Sequence, residues 1–204
     1  MTTGQDLLEL SPVMPVVVID DADDAVPTAR ALLAGGIGVI ELTLRTPAAL
    51  SAIERVAAEV PDIVLGAGTV TSPGQAKQAA DAGAKFLVTP GCTDAVLDAC
   101  FETGLPFLPG AATVSEAMRL AERGLTAVKF FPAEASGGVA YLKSIAGPLP
   151  GLKFCPTGGI TVASAPSYLE LPNVGCIGGS WLTSSLATRD FATIEKLAAE
   201  AAKL

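Results

Sequence analysis

The sequence predicts an α/β protein in which residues 1–204 fold as one closed (β/α)8 barrel, the TIM-barrel architecture. Eight short segments rich in Val, Ile, Leu or Phe recur about every 20 to 26 residues, with helical segments between them. They show little strict alternation, which is typical of parallel strands buried on both faces. Since no G-x-G-x-x-G motif follows the first strand, the closed barrel is favoured over the alternative, an open doubly wound sheet.

All but the first of the predicted strands end at or near Gly, Pro or Thr, residues that commonly terminate extended segments. In chain order the strands are Val13–Ile19, Gly38–Leu44, Ile63–Thr69, Phe86–Pro90, Pro106–Pro109, Ala127–Phe131, Leu152–Pro156 and Val174–Ile177. The connections between them must be short, because 204 residues is below the typical barrel size of about 250.

Capping residues predict where several helices begin. Thr46-Pro47 is a good N-cap and first-turn pair, Ser72-Pro73 repeats that start, and Thr113 with Glu116 forms a capping box. The predicted helices are Asp23–Ala34, Thr46–Val60, Ser72–Gly83, Thr93–Thr103, Thr113–Arg123 and Arg189–Leu204, with less regular helical patterns at Gly138–Ala146 and after Thr161.

Composition and charge argue against several classes of function. The net charge of −8 disfavours a nucleic-acid partner, because phosphate backbones are bound by basic surfaces. The longest apolar segments, such as Val16–Ile19, are too short to span a bilayer, and residues 1–10 lack the cationic start of a signal peptide. We therefore expect a cytoplasmic protein with no membrane partner. An anionic small substrate would need local positive features for binding.

The chain has no histidine and four cysteines. A Ser-His-Asp triad, histidine acid–base chemistry and His-ligated metal sites are therefore excluded. The cysteines form no close pair in the sequence, so reduced and mostly buried thiols are predicted rather than a zinc site. No metal and no cofactor are expected. Lys, Arg, Glu, Asp, Tyr, Cys and backbone groups are left to carry any reaction.

Two predicted strands carry charged residues on the face that would point into the barrel. Alternation along the second strand places Glu41 and Arg45 on this face, and alternation along the sixth strand places Lys129 and Phe131 there. Burial and a nearby Arg45 would favour the neutral lysine amine that attacks a ketone, whereas a nearby Glu41 would favour the charged form. From the residues alone, a reactive lysine and a lysine paired with Glu41 for structure both stay open.

Glycine pairs end the seventh and eighth strands, at Gly158-Gly159 and Gly178-Gly179. Barrels often bind phosphate in the loops at these two positions, where glycines let backbone N–H groups approach an anion. Each pair alone also fits a plain tight turn. At the end of the third strand, Thr69 could donate a hydrogen bond to a substrate carboxylate.

Taken together, these segments resemble the 2-keto-3-deoxy-6-phosphogluconate aldolase family, a set of class I aldolases. The resemblance extends over nearly the whole chain, from Val13 to Leu204. Several long matches in the same order make it specific. The segments that carry it are Glu41–Thr46, Gly66–Val70, Lys129–Glu134, Phe154–Ile160 and Cys176–Trp181.

The resemblance implies a role for each matching residue. Lys129 would form the Schiff base with the substrate, and Glu41 would be the general acid–base. Arg45 and Thr69 would hold the pyruvyl carboxylate. The remaining implied substrate contacts are the ring of Phe131 beside the pyruvyl group, the carbonyl of Pro90 near a water, Thr157, and a phosphate site made of Gly158, Gly159, Gly179 and Ser180.

The implied reaction splits 2-keto-3-deoxy-6-phosphogluconate into pyruvate and glyceraldehyde 3-phosphate. The implied companion activity is cleavage of 4-hydroxy-2-oxoglutarate to pyruvate and glyoxylate, and the family usually forms homotrimers. The galactonate-type epimer is an alternative phosphorylated substrate. Two other functions stay open: a phosphate-binding isomerase or epimerase in which Lys129 acts only through its charge, and a non-catalytic sugar-phosphate-binding barrel in which it only pairs with Glu41.

Overall fold

Short parallel strands alternate with helices in the computed structural model, which describes residues 3–204. The strands are β1 (Val13–Val17), β2 (Val39–Thr43), β3 (Val64–Gly68), β4 (Phe86–Val88), β5 (Phe107–Leu108), β6 (Gly110–Ala111), β7 (Ala127–Phe130), β8 (Lys153–Pro156) and β9 (Ile177–Gly179). The α-helices are α1 (Gly4–Leu8), α2 (Ala25–Ala34), α3 (Ala49–Glu59), α4 (Pro73–Asp81), α5 (Asp94–Glu102), α6 (Val114–Glu122), α7 (Gly138–Ile145), α8 (Ala165–Leu169) and α9 (Phe191–Ala201).

The strands close into a parallel barrel, which confirms the predicted fold over the open sheet. One sheet has the order β5-β4-β3-β2-β1-β9 and the other the order β6-β7-β8. Pro109 alone separates β5 from β6, so these two strands form one barrel strand. On the other side, parallel bridges at Phe154↔Val174 and Thr157↔Gly178 join β8 to β9 and to the residues just before it. The ring therefore has eight strand positions.

The fifth and eighth barrel strands differ from their predicted bounds. Pairing resumes beyond Pro109, where the predicted fifth strand ended, because β6 pairs with β7 through Gly110↔Lys129. The predicted eighth strand, Val174–Ile177, ends too early, although Val174 does bridge to Phe154. Its pairing with β1 instead continues through Gly178 and Gly179, so the glycine pair is part of the barrel wall as well as of its rim.

Three helices begin at the predicted capping residues, and in each the cap bonds to a backbone N–H three residues later. Ser72 and Thr93 accept the expected backbone N–H bonds at the starts of α4 and α5, and Thr113 forms the predicted capping box of α6. The predicted cap at Thr46 is wrong, because α3 begins three residues later. The Thr46 hydroxyl donates instead to the carbonyl of Ile19, a long-range contact that ties the end of β2 to the end of β1.

The helices near the chain ends also depart from the prediction. The short helix α1 was not predicted, and it is capped by Thr3 and Asp6. The first residues of the predicted Asp23–Ala34 helix form a separate 3-10 turn, Ala22–Asp24. The last helix starts after Asp190, which caps it by accepting the Thr193 N–H. The less regular patterns correspond to α7 and α8 and are confirmed.

The four cysteines are free, and Cys100, Cys155 and Cys176 are buried while Cys92 is half-buried. This agrees with the prediction of mostly buried thiols. No helix among residues 3–204 combines the length and apolar character needed to span a bilayer.

Gly66 on β3 leaves space for the Phe86 ring in the barrel interior. A methyl group at Gly66 would overlap this ring, one of whose atoms, Cε1, would lie only 2.5 Å from it. Phe86 is itself fully buried and paired in register with Gly66. The two positions are therefore packed together without spare volume.

Gly66→Ala should lower the free energy of unfolding by about 1–3 kcal/mol, the usual effect of overpacking a core. Urea unfolding followed by far-ultraviolet circular dichroism would measure this. Gly38→Ala is the matched control, since nothing lies within 4 Å of a Cβ added there. Equal stability of both variants would contradict the tight packing of Phe86 against β3.

Candidate active site

Lys129 and Glu41 meet inside the barrel, as the strand alternation predicts. The Lys129 ammonium lies 3.2 Å from Glu41 Oε1 and 3.4 Å from Oε2. Their side chains are only 4% and 2% exposed. The two residues come from β7 and β2, which lie on different sides of the barrel, so the pair spans its interior. A buried amine and a buried carboxylate are thus held within proton-transfer distance.

Gly68 on β3 makes room for the Glu41 carboxylate. A methyl group at Gly68 would overlap Glu41 Oε1 and would lie 2.5 Å from both Cδ and Cγ. The register pairs Glu41 with Gly66, so its side chain extends along the barrel towards the carboxyl end of β3. The absence of a side chain at Gly68 therefore sets the position of the carboxylate relative to Lys129.

Arg45 and Thr69 form a second polar pair at the rim, after β2 and β3. Arg45 Nε donates to Thr69 Oγ1 at 3.1 Å. Thr69 has φ +58°, a left-handed conformation that is uncommon for a residue other than glycine and that turns the chain sharply at the strand end. No carboxylate among residues 3–204 forms an ion pair with the exposed Arg45. Its guanidinium can therefore receive an anionic group.

Pro90 and Phe131 lie at the same end of the barrel. Pro90 follows β4, and a Cβ at Gly110 would overlap its carbonyl group, so β6 approaches this carbonyl closely. The Phe131 ring follows β7, and its centroid lies 5.7 Å from Lys129 Nζ. The amine therefore has an aromatic wall on one side.

The glycine-rich loops lie next to each other at the ends of β8 and β9. Thr157 bridges to Gly178, which brings the turn at Gly158-Gly159 beside Gly179 and Ser180. Gly158 and Gly159 have φ of +102° and +80°, values that other residues rarely adopt. Ser180 is exposed at the rim. The four residues predicted for phosphate thus lie at the adjacent carboxyl ends of β8 and β9.

A cavity of about 760 Å³ opens beside Ser180, and the sequence interpretation did not include most of its walls. It is lined on one side by the end of β1 and the loop that follows, and on the other by residues 180–189. Arg189 lies in its wall and is paired with Asp21 at 2.8 Å and Asp24 at 2.7 Å. The two walls of the cavity come from segments that are far apart in the sequence. No local sequence pattern therefore indicates that the cavity exists.

Two buried thiols lie beside the ion pair and were also not assigned to the site. Cys155 is paired in register with Lys129. A hydrogen bond from the Cys176 thiol holds the pKa of Cys155 below its usual range, and the nearby Lys129 charge acts in the same direction. The same hydrogen bond and burial raise the pKa of Cys176.

The arrangement suits covalent catalysis by an amine. A buried lysine with a carboxylate at hydrogen-bond distance has a nucleophile and a proton acceptor in contact. Around it are a cation for a carboxylate, an aromatic wall, and a pair of loops rich in backbone N–H groups. Among residues 3–204, no group of three or more His, Cys, Asp or Glu side chains is arranged to hold a metal ion.

Comparison with known proteins identifies close relatives along the whole chain. The family model of KDPG and KHG aldolases matches residues 5–197. A 2-dehydro-3-deoxy-phosphogluconate aldolase of Pseudoalteromonas atlantica is 50% identical over 201 residues, which cover 98% of this chain and 94% of the relative. A KHG/KDPG aldolase of Escherichia coli is 48% identical over 202 residues, covering 98% and 95%.

Solved structures agree in fold. A KDPG aldolase from Legionella pneumophila, with pyruvate captured at low pH as a covalent carbinolamine intermediate, matches with a TM-score of 0.96 at 44% identity and covers 98% of each chain. The 2-keto-3-deoxy-6-phosphogluconate aldolase of Zymomonas mobilis with 3-phosphoglycerate matches with a TM-score of 0.94 at 46% identity, covering 99% and 96%. The chain belongs to the KDPG and KHG aldolase family.

Proposed function

We propose that this chain is a class I aldolase that cleaves 2-keto-3-deoxy-6-phosphogluconate to pyruvate and glyceraldehyde 3-phosphate through a Schiff base on Lys129. The observation that carries the proposal is the buried Lys129 amine, 3.2 Å from Glu41 Oε1. The relative from Legionella pneumophila, which holds pyruvate as a covalent carbinolamine, supports an amine nucleophile. The phosphogluconate aldolases at about half identity support the phosphorylated 2-keto acid as substrate.

The first steps use the contact between Lys129 and Glu41. Transfer of one ammonium proton to the Glu41 carboxylate gives the neutral amine that attacks C2 of the keto acid. The C2 oxygen takes up the proton that the attacking nitrogen loses, which gives the carbinolamine. Glu41 then returns its proton to the C2 hydroxyl, which leaves as water, so that an iminium ion remains on Lys129 and Glu41 is a carboxylate again. Its positive charge accepts the electron pair released in the next step.

Glu41 then moves the proton that starts bond cleavage. Its carboxylate, directly or through a water held near the Pro90 carbonyl, takes the proton of the C4 hydroxyl. The C3–C4 electrons pass into the iminium group, so glyceraldehyde 3-phosphate leaves and an enamine of pyruvate remains. Protonation of the enamine at C3 and hydrolysis release pyruvate and restore the lysine. Besides the substrate, the reaction uses only the protein's own groups, protons and water, so no cofactor is required.

The remaining residues hold the two ends of the substrate. Arg45 and Thr69 would bind the carboxylate, because a guanidinium with a hydroxyl beside it offers charge-assisted hydrogen bonds. Phe131 would lie beside the pyruvyl group. The phosphate would be bound by backbone N–H groups and the serine hydroxyl at Gly158, Gly159, Gly179 and Ser180. The N–H of Thr157 donates to the Phe130 carbonyl, so Thr157 would contribute by holding the start of this turn.

Cleavage of 4-hydroxy-2-oxoglutarate is proposed as a second activity of the same site. The family model includes KHG aldolases, and this substrate shares the pyruvyl half that Lys129 attacks. It lacks the phosphate, so it uses only the inner part of the site. The two substrates can therefore separate the roles of the inner and outer residues.

We also infer a homotrimer from the family resemblance and a cytoplasmic location from the sequence. A single domain over residues 1–204 is supported by the strands and helices that run through the barrel. Sedimentation velocity would test the trimer directly.

Incubation with pyruvate and borohydride should reduce the iminium and leave a stable adduct on the peptide that contains Lys129, which mass spectrometry can map. Lys129→Arg should abolish both the adduct and cleavage, because a guanidinium is not nucleophilic at neutral pH. Chelators should not affect the rate. No adduct, or an adduct on Lys153, would contradict the mechanism and favour a purely structural ion pair.

Gly68→Ala should lower kcat by roughly 10²-fold or more, the range lost when an acid–base group is displaced. The added methyl group overlaps Glu41 Oε1 and forces the carboxylate away from Lys129. Steady-state kinetics on protein checked for folding by circular dichroism would measure this. Gly74→Ala, with nothing within 4 Å of the added Cβ, is the control. A fully active Gly68→Ala variant would remove Glu41 from the proposed mechanism.

Ser180→Ala should raise the ratio of KM for the phosphorylated substrate to KM for 4-hydroxy-2-oxoglutarate by roughly ten-fold or more, since a hydrogen bond to a charged group contributes about 1.5–3 kcal/mol. Initial rates on both substrates give the ratio. Ser115→Ala, at an exposed position on α6, is the matched control. A Ser180→Ala variant that weakens both substrates equally would argue against its role at the phosphate.

A further inference from the structure

A buried tyrosine that the proposed reaction does not use lies behind the Gly158-Gly159 turn. Tyr168 on α8 is 0% exposed, and its hydroxyl donates a 2.6 Å hydrogen bond to Glu134 Oε1. Burial and this hydrogen bond raise the pKa of Tyr168. The hydroxyl therefore stays protonated and remains a donor. Nothing in the catalytic steps explains why a buried tyrosine and a carboxylate should be joined here.

Glu134 connects this hydrogen bond to the glycine turn. It starts a 3-10 turn, Glu134–Ser136, soon after β7, and its N–H donates to the Gly158 carbonyl at 3.1 Å. A Cβ added at Gly159 would lie 2.8 Å from both Cβ and Cγ of Glu134. The Gly158-Gly159 turn therefore rests directly on the backbone and the methylene groups of Glu134.

The carboxylate of Glu134 is held towards the start of α7. A Cβ added at Gly138, the first residue of α7, would lie 2.9 Å from Tyr168 Oη and 3.6 Å from Glu134 Oε2. No side chain caps this helix, and a helix N-terminus favours a negative charge. One oxygen thus accepts from Tyr168 and the other lies beside the helix start. The charge is anchored behind the turn.

We propose that Tyr168 is a positioning residue for the phosphate end of the substrate, acting through Glu134 on the Gly158-Gly159 turn. This inference rests on the proposed function. Without the tyrosine hydroxyl, the Glu134 side chain is free to rotate. The turn then loses its support, and a carboxylate can approach the bound phosphate and repel it. A substrate without phosphate does not use this turn and is not subject to either effect.

Tyr168→Phe tests the proposal, because it removes only the hydroxyl. We expect the ratio of KM for 2-keto-3-deoxy-6-phosphogluconate to KM for 4-hydroxy-2-oxoglutarate to rise about ten-fold, since small displacements of binding groups have effects of this size or larger. Tyr141→Phe is the matched control. Tyr141 is the other tyrosine of the chain and stacks on Phe130 with ring centroids 5.3 Å apart, so it reports a general effect of losing a hydroxyl.

Two substitutions at Glu134 test whether its hydrogen bond with Tyr168 supports the Gly158-Gly159 turn, as distinct from a simple loss of packing. Glu134→Gln keeps an oxygen that accepts from Tyr168, so the KM ratio should stay close to that of the parent enzyme. Glu134→Ala removes both the acceptor and Cγ, so the turn loses its support and the ratio should rise, although no carboxylate is left to repel the phosphate. The double variant Tyr168→Phe/Glu134→Ala should then match Glu134→Ala alone, because the two residues act in series.

A binding measurement keeps this inference separate from the proposed reaction. Inorganic phosphate is titrated into 15N-labelled protein while the amide signals of Gly158 and Gly159 are followed. We expect these signals to shift in the parent and to need about ten-fold more phosphate in Tyr168→Phe, in line with the kinetic effect. If the parent cleaves no phosphorylated substrate, the proposed function is wrong, but the titration still shows whether Tyr168 affects phosphate binding at the turn. Equal phosphate affinity in both proteins, or an unchanged KM ratio, would overturn the inference.

Discussion

The ion pair between Lys129 and Glu41 is the interaction on which the barrel interior depends. Two charges with side chains at most 4% exposed have lost almost all contact with water, and desolvation offsets much of their mutual attraction. Such a pair adds little net stability, while removal of one partner leaves a buried charge that costs about 3–5 kcal/mol. The two groups are close enough for a proton to pass between them without solvent.

Neighbouring strands are shaped to accommodate this pair and the carbonyl near it. Gly68 leaves the volume that the Glu41 carboxylate fills, and Gly110 leaves the volume beside the Pro90 carbonyl. In both cases the functional atom belongs to one strand and the missing side chain to the next. The positions of the Glu41 carboxylate and the Pro90 carbonyl are consequently set by the register between strands, which parallel pairing holds through the whole ring.

Much of this could be predicted from the sequence, because the signals are local or periodic. Alternation along single strands places Glu41 and Lys129 on inward faces, and the cap at Thr113 depends only on residues within one turn. The predicted cap at Thr46 is wrong because its hydroxyl bonds to Ile19, 27 positions away. The cavity beside Ser180 and the contact of Tyr168 with Glu134 are likewise long-range. No local pattern carries information about them.

The glycines on the inner face of β3 have a consequence for how such an enzyme can diversify. The space at Gly66 is filled by Phe86 from one neighbouring strand, and the space at Gly68 by Glu41 from the other, so a side chain introduced at either position collides with the Phe86 ring or with the Glu41 carboxylate. Substitutions at these two positions of β3 therefore cannot change the substrate range without disturbing the packing or the Glu41 carboxylate. Variation that alters selectivity has to accumulate in the rim loops, such as residues 180–189 around the outer cavity.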